Sequence, residues 1–327
     1  MNKKIEKVEK KVEVKKEKTK KTSSFNFTDL GFIKNNARAL DIRVLDKKNF
    51  LVSYVELKEG KVRLVLDYFE IKKNALRKEN LFSTQFLPLN SELINDKKDN
   101  LSLKEKFTGI HQAGGKIEIV SDTNFLISIG DFNNEHLLVS DNNYFGKIIS
   151  VDIKTKNIKI IAKGLRNPQG LTELKKNIYL STEHGMVHGD EVNIILENNH
   201  YGWPYVTLGH PYGAHPKREM INGINNLNFG NHDNYTKPLF SFVPDIGIKD
   251  ILIYPENKQF NRWSKDVLIC SGKGLYRLRP NYINKTINNI LYSEKIIKDP
   301  CRDMALSKSG YIFFNNLSYI IARKLYK

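Results

Sequence analysis

Short apolar runs of about five residues recur along most of this chain and constrain its fold more than any other feature. They are rich in β-branched and aromatic residues and are separated by Gly, Asn, Asp and Lys, the pattern of strands joined by polar turns. Helical periodicity is absent after the first 22 residues. The runs lie at residues 50–54, 62–66, 125–129, 136–140, 147–151, 266–270 and 311–314. The sequence therefore predicts an all-β fold.

A looser repeat groups these strands. A polar turn followed by a strand that ends in Ser or Cys is found at residues 49–53, 124–128, 177–181 and 266–270. Several strands lie between successive copies, which is typical of propeller blades. Each small sheet has two apolar faces, so several sheets must stack around a ring to bury them. Residues 25–327 are therefore predicted to form one β-propeller.

The first 24 residues form a separate, highly charged segment. Residues 1–21 contain ten Lys and four Glu, and such a composition buries too little apolar area to order itself. Ile5, Val8 and Val12 recur at helical spacing. The segment is therefore predicted to be a disordered or frayed helical tail.

The formal net charge of +17 restricts the classes of partner. A basic surface attracts nucleic acid, anionic lipid or an acidic ligand, but no basic–aromatic stacking pattern or reader motif is present, so nucleic-acid binding is not predicted. No run of about 18 apolar residues exists, so no membrane span is expected. The N-terminus lacks the apolar core of a secretory signal.

The chain has two cysteines, Cys270 and Cys301, which lack metal-ligand spacing. They are predicted to be buried free thiols. The alternative is one disulfide bridge in an oxidising compartment.

Two polar segments beside strands predict a binding site. Residues 111–116 read His-Gln-Ala-Gly-Gly-Lys; an imidazole is suited to proton abstraction near neutral pH, and glycines let a planar ligand approach the backbone. Residues 166–170 read Arg-Asn-Pro-Gln-Gly, and a guanidinium with an amide suits a carboxylate. The alternative for each segment is an ordinary turn, with His111 bonding its own loop and Arg166 on the surface.

The turn at residues 183–191 is a candidate metal site. Backbone carbonyls with Asp190 and Glu191 supply hard oxygen donors, which suit calcium better than zinc. A zinc alternative rests on three nearby histidines: His184, His188 and His200.

Two later cations are candidates for contact with an anion. Lys273 lies in Ser-Gly-Lys-Gly-Leu at residues 271–275, and Arg302 lies in Pro-Cys-Arg-Asp-Met at residues 300–304. The alternative is that both are solvated surface cations. Trp203, in Tyr-Gly-Trp-Pro at residues 201–204, is predicted to be a packing anchor.

Taken in this order, the motifs resemble the soluble sugar dehydrogenases that use pyrroloquinoline quinone, the glucose/sorbosone dehydrogenase family. The resemblance runs from about Leu40 to the C-terminus. Residues 111–116, with residues 128–131, are similar to the family's catalytic histidine segment, and residues 166–170 to its quinone clamp. Residues 190–193 together with residues 201–204 resemble a specific family signature.

The resemblance implies a six-bladed β-propeller, with an incomplete first blade as a variant, and pyrroloquinoline quinone over the central channel. It implies an enzyme that oxidises an aldose-type sugar at the anomeric hydroxyl by hydride transfer to the quinone, with an external electron acceptor. His111 would be the general base, and Ca²⁺ would polarise a quinone carbonyl. The implied cofactor ligands are Arg166, Asn167, Lys273 and Arg302. The implied calcium ligands are the backbone carbonyls of Gly185 and Met186, with Glu191 and the backbone of Tyr201 at a second, structural calcium.

Some features depart from the family pattern. A Lys/Glu tail stands where members carry a signal peptide and a first-blade segment, and Pro300 replaces an arginine. Loss of that guanidinium is expected to weaken cofactor binding by about 1–3 kcal/mol. The departures favour, as the alternative function, a non-catalytic propeller that binds a protein or a glycan. By resemblance the protein is expected to be periplasmic or secreted, and a monomer or homodimer.

Overall fold

The computed structural model describes residues 38–73, 75–88, 111–210, 228–256, 261–307, 311–315 and 320–324. The predicted tail at residues 1–24, and the residues that follow it up to 37, lie outside this part of the chain. Within it the chain forms strands and two short 3-10 helices, Glu135–Val139 and Asn261–Trp263. The all-β prediction is confirmed. No helix in the described part has the length and apolar character needed to cross a membrane.

The first blade is a five-stranded antiparallel sheet. Its strands are β1 (Arg38–Val44), β2 (Asn49–Lys58), β3 (Lys61–Lys72), β4 (Ala75–Ser83) and β5 (Leu87–Pro88). β2 and β3 pair from Asn49 opposite Glu70 to Lys58 opposite Lys61. Their turn is Glu59-Gly60, and both residues have positive φ, 50° and 69°. Such a turn matches the twist of the two strands, which explains the glycine.

The second and third blades follow in sequence. The second contains β6 (Gly114–Ile119), β7 (Asn124–Ile129), β8 (Lys147–Asp152), β9 (Ile158–Lys163) and β13 (Asn199–His200). The third contains β10 (Pro168–Lys175), β11 (Ile178–Glu183), β12 (Asp190–Ile195) and β16 (Phe240–Phe242). β13 joins the second blade by parallel pairing with β9.

Two further blades and a small ribbon complete the described part. The fourth blade contains β17 (Ile248–Ile253), β18 (Val267–Ser271), β19 (Gly274–Ile283) and β20 (Thr286–Ile297). The fifth contains β21 (Met304–Leu306), β22 (Tyr311–Asn315) and β23 (Ile320–Lys324). The ribbon pairs β14 (Val206–Thr207) with β15 (Asn228–Phe229).

The described residues form five blades, so the predicted count of six is wrong for this part of the chain. The described strands between β12 and β17 do not form a separate blade. They extend neighbouring sheets, β13 beside β9 and β16 beside β12, or pair with each other as the ribbon. The first blade has five described strands, and the fifth blade, with three, has the fewest of the five described blades.

The first strand of each blade belongs to an inner ring. β1 packs against β6, β6 against β10, β10 against β17, and β17 against β21. Apolar side chains from facing sheets bury each other between the blades; Leu51, Phe125 and Ile149 share one cluster and are 0% exposed. Polar residues at the ends of the inner strands therefore converge from distant parts of the sequence.

The two cysteines are paired. Cys270 in β18 and Cys301 before β21 form a disulfide that links the fourth and fifth blades, with their Cα atoms 4.9 Å apart. The prediction of free thiols is wrong, and the alternative of one bridge is what the structure contains. Both residues are buried in the same apolar cluster. They are 31 residues apart in the sequence, so only the fold shows that they lie close enough to pair.

Candidate functional site

A pocket of about 410 Å³ opens at the ends of the inner strands. It contains two of the predicted cofactor residues, Asn167 and Arg302, and Gln112 from the predicted catalytic segment. Its lining residues are Arg38, Leu40, Gln112, Ala113, Gly114, Asn167, Gln169, Lys249, Arg302 and Asp303. They come from the loops or inner strands of all five blades, so the pocket is a product of the ring.

A buried glutamate fixes Asn167 at the pocket wall. Glu183, at the end of β11, accepts hydrogen bonds from the backbone N–H groups of Arg166 and Asn167, the latter at 2.6 Å. The side-chain oxygen of Asn167 accepts the N–H of Gly114 at 3.3 Å. These bonds tie the predicted clamp segment to the predicted catalytic segment.

His111 lies at the exposed rim of the pocket, beside Arg38. The distance between Arg38 Nη1 and His111 Nδ1 is 3.4 Å. A guanidinium only donates hydrogen bonds, so Nδ1 accepts and the neutral ring carries its proton on Nε2. Burial lowers the pKa of His111, and the positive charges of Arg38, Lys249 and Arg302 lower it further. The ring is therefore neutral near pH 7 and has its lone pair at Nδ1.

Gly130 allows the histidine loop to lie close to β7. A Cβ atom at Gly130 would be 1.8 Å from the carbonyl oxygen of Gln112, so any side chain would displace the loop. Gln112 itself has a φ of 60°, and its carbonyl accepts the N–H of Phe132 at 3.1 Å. This hydrogen bond fixes the position of the backbone next to His111.

The pocket is strongly cationic. Arg38, Lys249 and Arg302 line it with a single carboxylate, Asp303. Burial and the charge of Arg302 lower the pKa of Arg38 to about 10. Burial, Arg302 and Arg38 lower the pKa of Lys249 to about 8. The like charges of these three side chains repel one another, and an anion bound among them would relieve that repulsion.

A buried ion cluster lies among the inner strands next to this pocket. Lys116 of β6 is 4% exposed, and its Nζ lies 2.9 Å from Asp250 Oδ1 of β17. It also lies 3.6 Å from Asp41 Oδ1 of β1 and 3.4 Å from Asp303 Oδ1. Because β6 and β17 are not adjacent in the ring, Lys116 bridges the channel and connects three other blades.

Four of the other predicted residues, Arg166, Gly185, Glu191 and Tyr201, lie around a second cavity of about 290 Å³, whereas Met186 and Lys273 line neither pocket. The second cavity is lined by Gly164, Arg166, Glu183, Gly185, Glu191, Tyr201, Trp203, Val206 and Thr207. The structure therefore divides the predicted set. Asn167 and Arg302 line the first pocket, with His111 at its rim, whereas Arg166, Gly185, Glu191 and Tyr201 line the second cavity. Trp203 is buried there, as predicted for a packing anchor, and donates from Nε1 to Asp131 Oδ2 at 2.9 Å.

Two buried glutamates give the second cavity the character of a cation site. Burial raises the pKa of Glu183 to about 8, helped by the charge of Glu191, and burial raises the pKa of Glu191 to about 7. Glu183 Oε2 has no hydrogen-bond partner among the described residues. In that part of the chain no three His, Cys, Asp or Glu side chains cluster as a metal site. An ion here would use the two carboxylates, which also offset the charge of Arg166 in the same cavity, and carboxylate oxygens are donors that suit Ca²⁺.

The carbonyls predicted to hold the other calcium ion are engaged elsewhere. Arg166 Nη1 donates to the carbonyls of His184 and Gly185, each at 2.8 Å. Gly189 donates its N–H to the carbonyl of Met186 at 3.0 Å. A Ca²⁺ ion at Gly185 would face the guanidinium charge directly, so this arrangement does not fit a calcium ion.

The three histidines of the zinc alternative point to different partners. His184 Nδ1 lies 2.9 Å from Asp190 Oδ1, and His188 Nδ1 lies 3.7 Å from Asp245 Oδ1. His200 Nδ1 accepts the N–H of Gly202 at 3.0 Å. They do not form a zinc site.

Comparison with known proteins identifies the family. The profile of the family described as Glucose / Sorbosone dehydrogenase matches residues 65–317. The chain belongs to the glucose/sorbosone dehydrogenase family. The resemblance to this family is therefore confirmed.

Individual relatives are distant. Aldose sugar dehydrogenase YliI of Escherichia coli (strain K12) is 26% identical over 165 residues, which are 47% of this chain and 40% of that protein. A solved glucose dehydrogenase is 21% identical, with a TM-score of 0.64 over 84% of this chain and 78% of its own. The PQQ-bound form of an aldose sugar dehydrogenase from Streptomyces coelicolor is 15% identical, with a TM-score of 0.58 over 86% and 74%. The chain thus aligns with under half of the curated relative and shares the fold of the solved ones.

This family member has site residues that the motifs did not reveal: Arg38, Lys249 and Glu183. Glu183 was placed only in the candidate metal-binding turn, and Arg38, the first residue of β1, was not singled out. Lys249 and Asp250 had a usable signal, since they are two charged residues inside an otherwise apolar strand, Ile-Lys-Asp-Ile-Leu-Ile. A charged side chain in such a strand is expected to face the central channel and not the apolar contacts between the blades.

Proposed function

We propose that this protein is a pyrroloquinoline-quinone-dependent sugar dehydrogenase that oxidises an aldose at its anomeric hydroxyl. The observation that carries the proposal is the pocket at the inner ring, where three cations and Asn167 lie beside a neutral histidine. Family membership and the similarity to an aldose sugar dehydrogenase and to a PQQ-bound one support it.

The residues of the first pocket fit the cofactor. Pyrroloquinoline quinone carries carboxylates and quinone carbonyls, and Arg38, Lys249 and Arg302 offer charge-assisted hydrogen bonds to such groups. Asn167, held by Glu183, offers an amide to a carbonyl. The quinone of the bound cofactor is the hydride acceptor in this proposal.

His111 is the general base of the proposed reaction. Its lone pair is at Nδ1, where Arg38 now donates. The sugar hydroxyl would take the place of Arg38 at that nitrogen and transfer its proton there, which leaves an imidazolium. The exposed position of the ring allows a substrate to reach it, and its lowered pKa keeps it in the basic form at neutral pH.

Calcium in this proposal has a structural role at the second cavity. Glu183 and Glu191 would bind it with backbone oxygen atoms near Tyr201. The ion would neutralise the repulsion between two buried carboxylates and so stabilise the segment that carries Asn167. A chelator should lower the melting temperature of the calcium-loaded protein, and Glu191→Gln should remove that response.

Reconstitution tests the proposal. The protein loaded with pyrroloquinoline quinone and calcium should reduce a dye, as external electron acceptor, when aldoses are added. His111→Ala should lower kcat by about 100- to 10,000-fold, while Lys265→Gln, a surface substitution, should not. Absence of both cofactor binding and aldose turnover would instead favour a non-catalytic propeller that binds a protein or a glycan, and tight cofactor binding would argue against it.

The proposed site of action is an oxidising compartment, such as the periplasm or the exterior. The support is the Cys270–Cys301 disulfide, because structural disulfides persist where thiols are not kept reduced. Mass measurement of protein recovered from its source under thiol-blocking conditions would test this placement. Full labelling of both cysteines would exclude it.

A further inference from the structure

The inner ring contributes a lysine to the pocket that the motif order did not indicate. Lys249 lies in β17 and lines the same pocket as Asn167 and Arg302. Its backbone carbonyl accepts a hydrogen bond from Thr182 Oγ1 of β11, which fastens this part of β17 to the third blade. The side chain is partly buried, so its ammonium group belongs to the pocket wall.

The charges around Lys249 favour the binding of an anion. Burial, together with the charges of Arg302 and Arg38, lowers the pKa of Lys249 to about 8, and the carboxylates of Asp190 and Asp303 offset these effects only in part. Asp303 is also shared with Lys116 at 3.4 Å. A bound carboxylate would relieve the repulsion among the three pocket cations, which gives a favourable binding term.

Lys273, the lysine that the motif order assigned to the cofactor, has another environment. Its Nζ donates to the carbonyl oxygen of Asp245 and lies 3.4 Å from Asp245 Oδ1. Its side chain is 53% exposed, and it is not among the residues that line the first pocket. Asp245 compensates its charge, so no ligand is needed.

We propose that Lys249 binds a carboxylate of the ligand in this pocket, the role that the motif order gives to Lys273. The inference rests on the proposed function, because pyrroloquinoline quinone is the carboxylate ligand considered there. The chemistry itself requires only a ligand with several carboxylates.

A dependence of affinity on pH follows. A bound carboxylate holds the Lys249 ammonium in its charged form, so binding is strongest below pH 8 and weakens as Lys249 loses its proton at higher pH. The other charged groups that face Lys249 are Arg38, Arg302, Asp190 and Asp303. His111 is neutral between pH 7 and 9.

The test is isothermal titration of the full chain with two ligands, pyrroloquinoline quinone and benzene-1,3,5-tricarboxylate, at pH 7 and pH 9. Lys249→Gln should weaken binding by about 10- to 100-fold at pH 7. Lys249→Arg should retain the affinity within a few-fold and lose the decrease at pH 9, because arginine stays charged. Lys265→Gln is the matched control, and urea unfolding checks that each variant folds.

The outcomes separate this inference from the proposed function. Binding of the tricarboxylate through Lys249 without binding of the quinone would support the inference and contradict the proposed cofactor. Quinone binding that Lys249→Gln leaves unchanged, or that Lys273→Gln weakens more, would overturn the inference and leave the cofactor standing. Binding of neither ligand by the unmodified chain would overturn both.

Discussion

Lys116 and Asp250 form a buried ion pair across the inner ring, with Nζ 2.9 Å from Oδ1 and both side chains at most 5% exposed. Two other carboxylates, Asp41 and Asp303, share the same ammonium. Asp250 also accepts the N–H of Met304 through Oδ2 at 3.0 Å. Lys116 of the second blade is thereby paired with carboxylates of the first, fourth and fifth blades. It also fixes Asp303 at the edge of the pocket.

Lys116→Met should therefore destabilise the protein by about 3–5 kcal/mol, because it leaves buried carboxylates without their counter-charge. Urea unfolding at pH 7 measures the loss. Lys159→Met, which removes an exposed partner of Glu197, is the control and should change stability by less than about 1 kcal/mol. If Lys116→Met and Lys159→Met lower the free energy of unfolding by the same small amount, the ion cluster does not hold the blades together.

Arg38→Met should raise the pKa of His111. Arg38 is the largest of the charges that depress it, and its removal makes protonation of the ring easier. The acid limb of kcat/KM, which needs neutral His111, should then move to higher pH. A histidine NMR titration of the unloaded protein gives the same shift without turnover, and Arg77→Met, far out on the first blade, should leave it unchanged.

Asp131→Asn should remove part of the pH dependence of stability. Burial raises the pKa of Asp131 to about 7, so between pH 4 and 7 the folded protein binds a proton that the unfolded chain releases. This group therefore makes the folded state more stable as the pH falls through that window, by at most about 1.4 kcal/mol per pH unit.

Unfolding of the Asp131→Asn variant and of the unmodified protein at pH 5, 6, 7 and 8 would reveal this contribution as the difference between the two slopes. The amide oxygen can still accept from Trp203, but the bond from the Asn133 N–H to Oδ1 is lost, so the slopes with pH are compared and not the absolute stabilities. Parallel curves across the range would contradict the ionisation assigned to Asp131.

Removal of the disulfide should cost about 3–4 kcal/mol, the loop-closure value for a separation of 31 residues. The Cys270→Ala, Cys301→Ala double variant should show this loss in urea unfolding, and dithiothreitol should destabilise the unmodified protein but not the variant. Two reactive thiols in the unreduced, unfolded protein would show that no bridge forms.

The site was predictable only where the signal is local. The motif order predicted one site for His111, Asn167 and Arg302. Asn167 and Arg302 line one pocket, and His111 lies beside Arg38 of that pocket. Arg166 is adjacent to Asn167 in sequence but faces the second cavity, because successive side chains point to opposite sides of an extended backbone. Lys273 was assigned by order alone, and Asp245 holds it elsewhere.

The sequence by itself determined the all-β class, the propeller and the family, because alternation, turn residues and motif order are properties of neighbouring residues. The tertiary structure decided how the strands group into five blades, that Cys270 and Cys301 pair, and that Lys249 and Arg38 join the pocket. These features depend on the stacking of sheets around a ring, which brings together residues that are far apart in the chain. No local pattern records such long-range contacts.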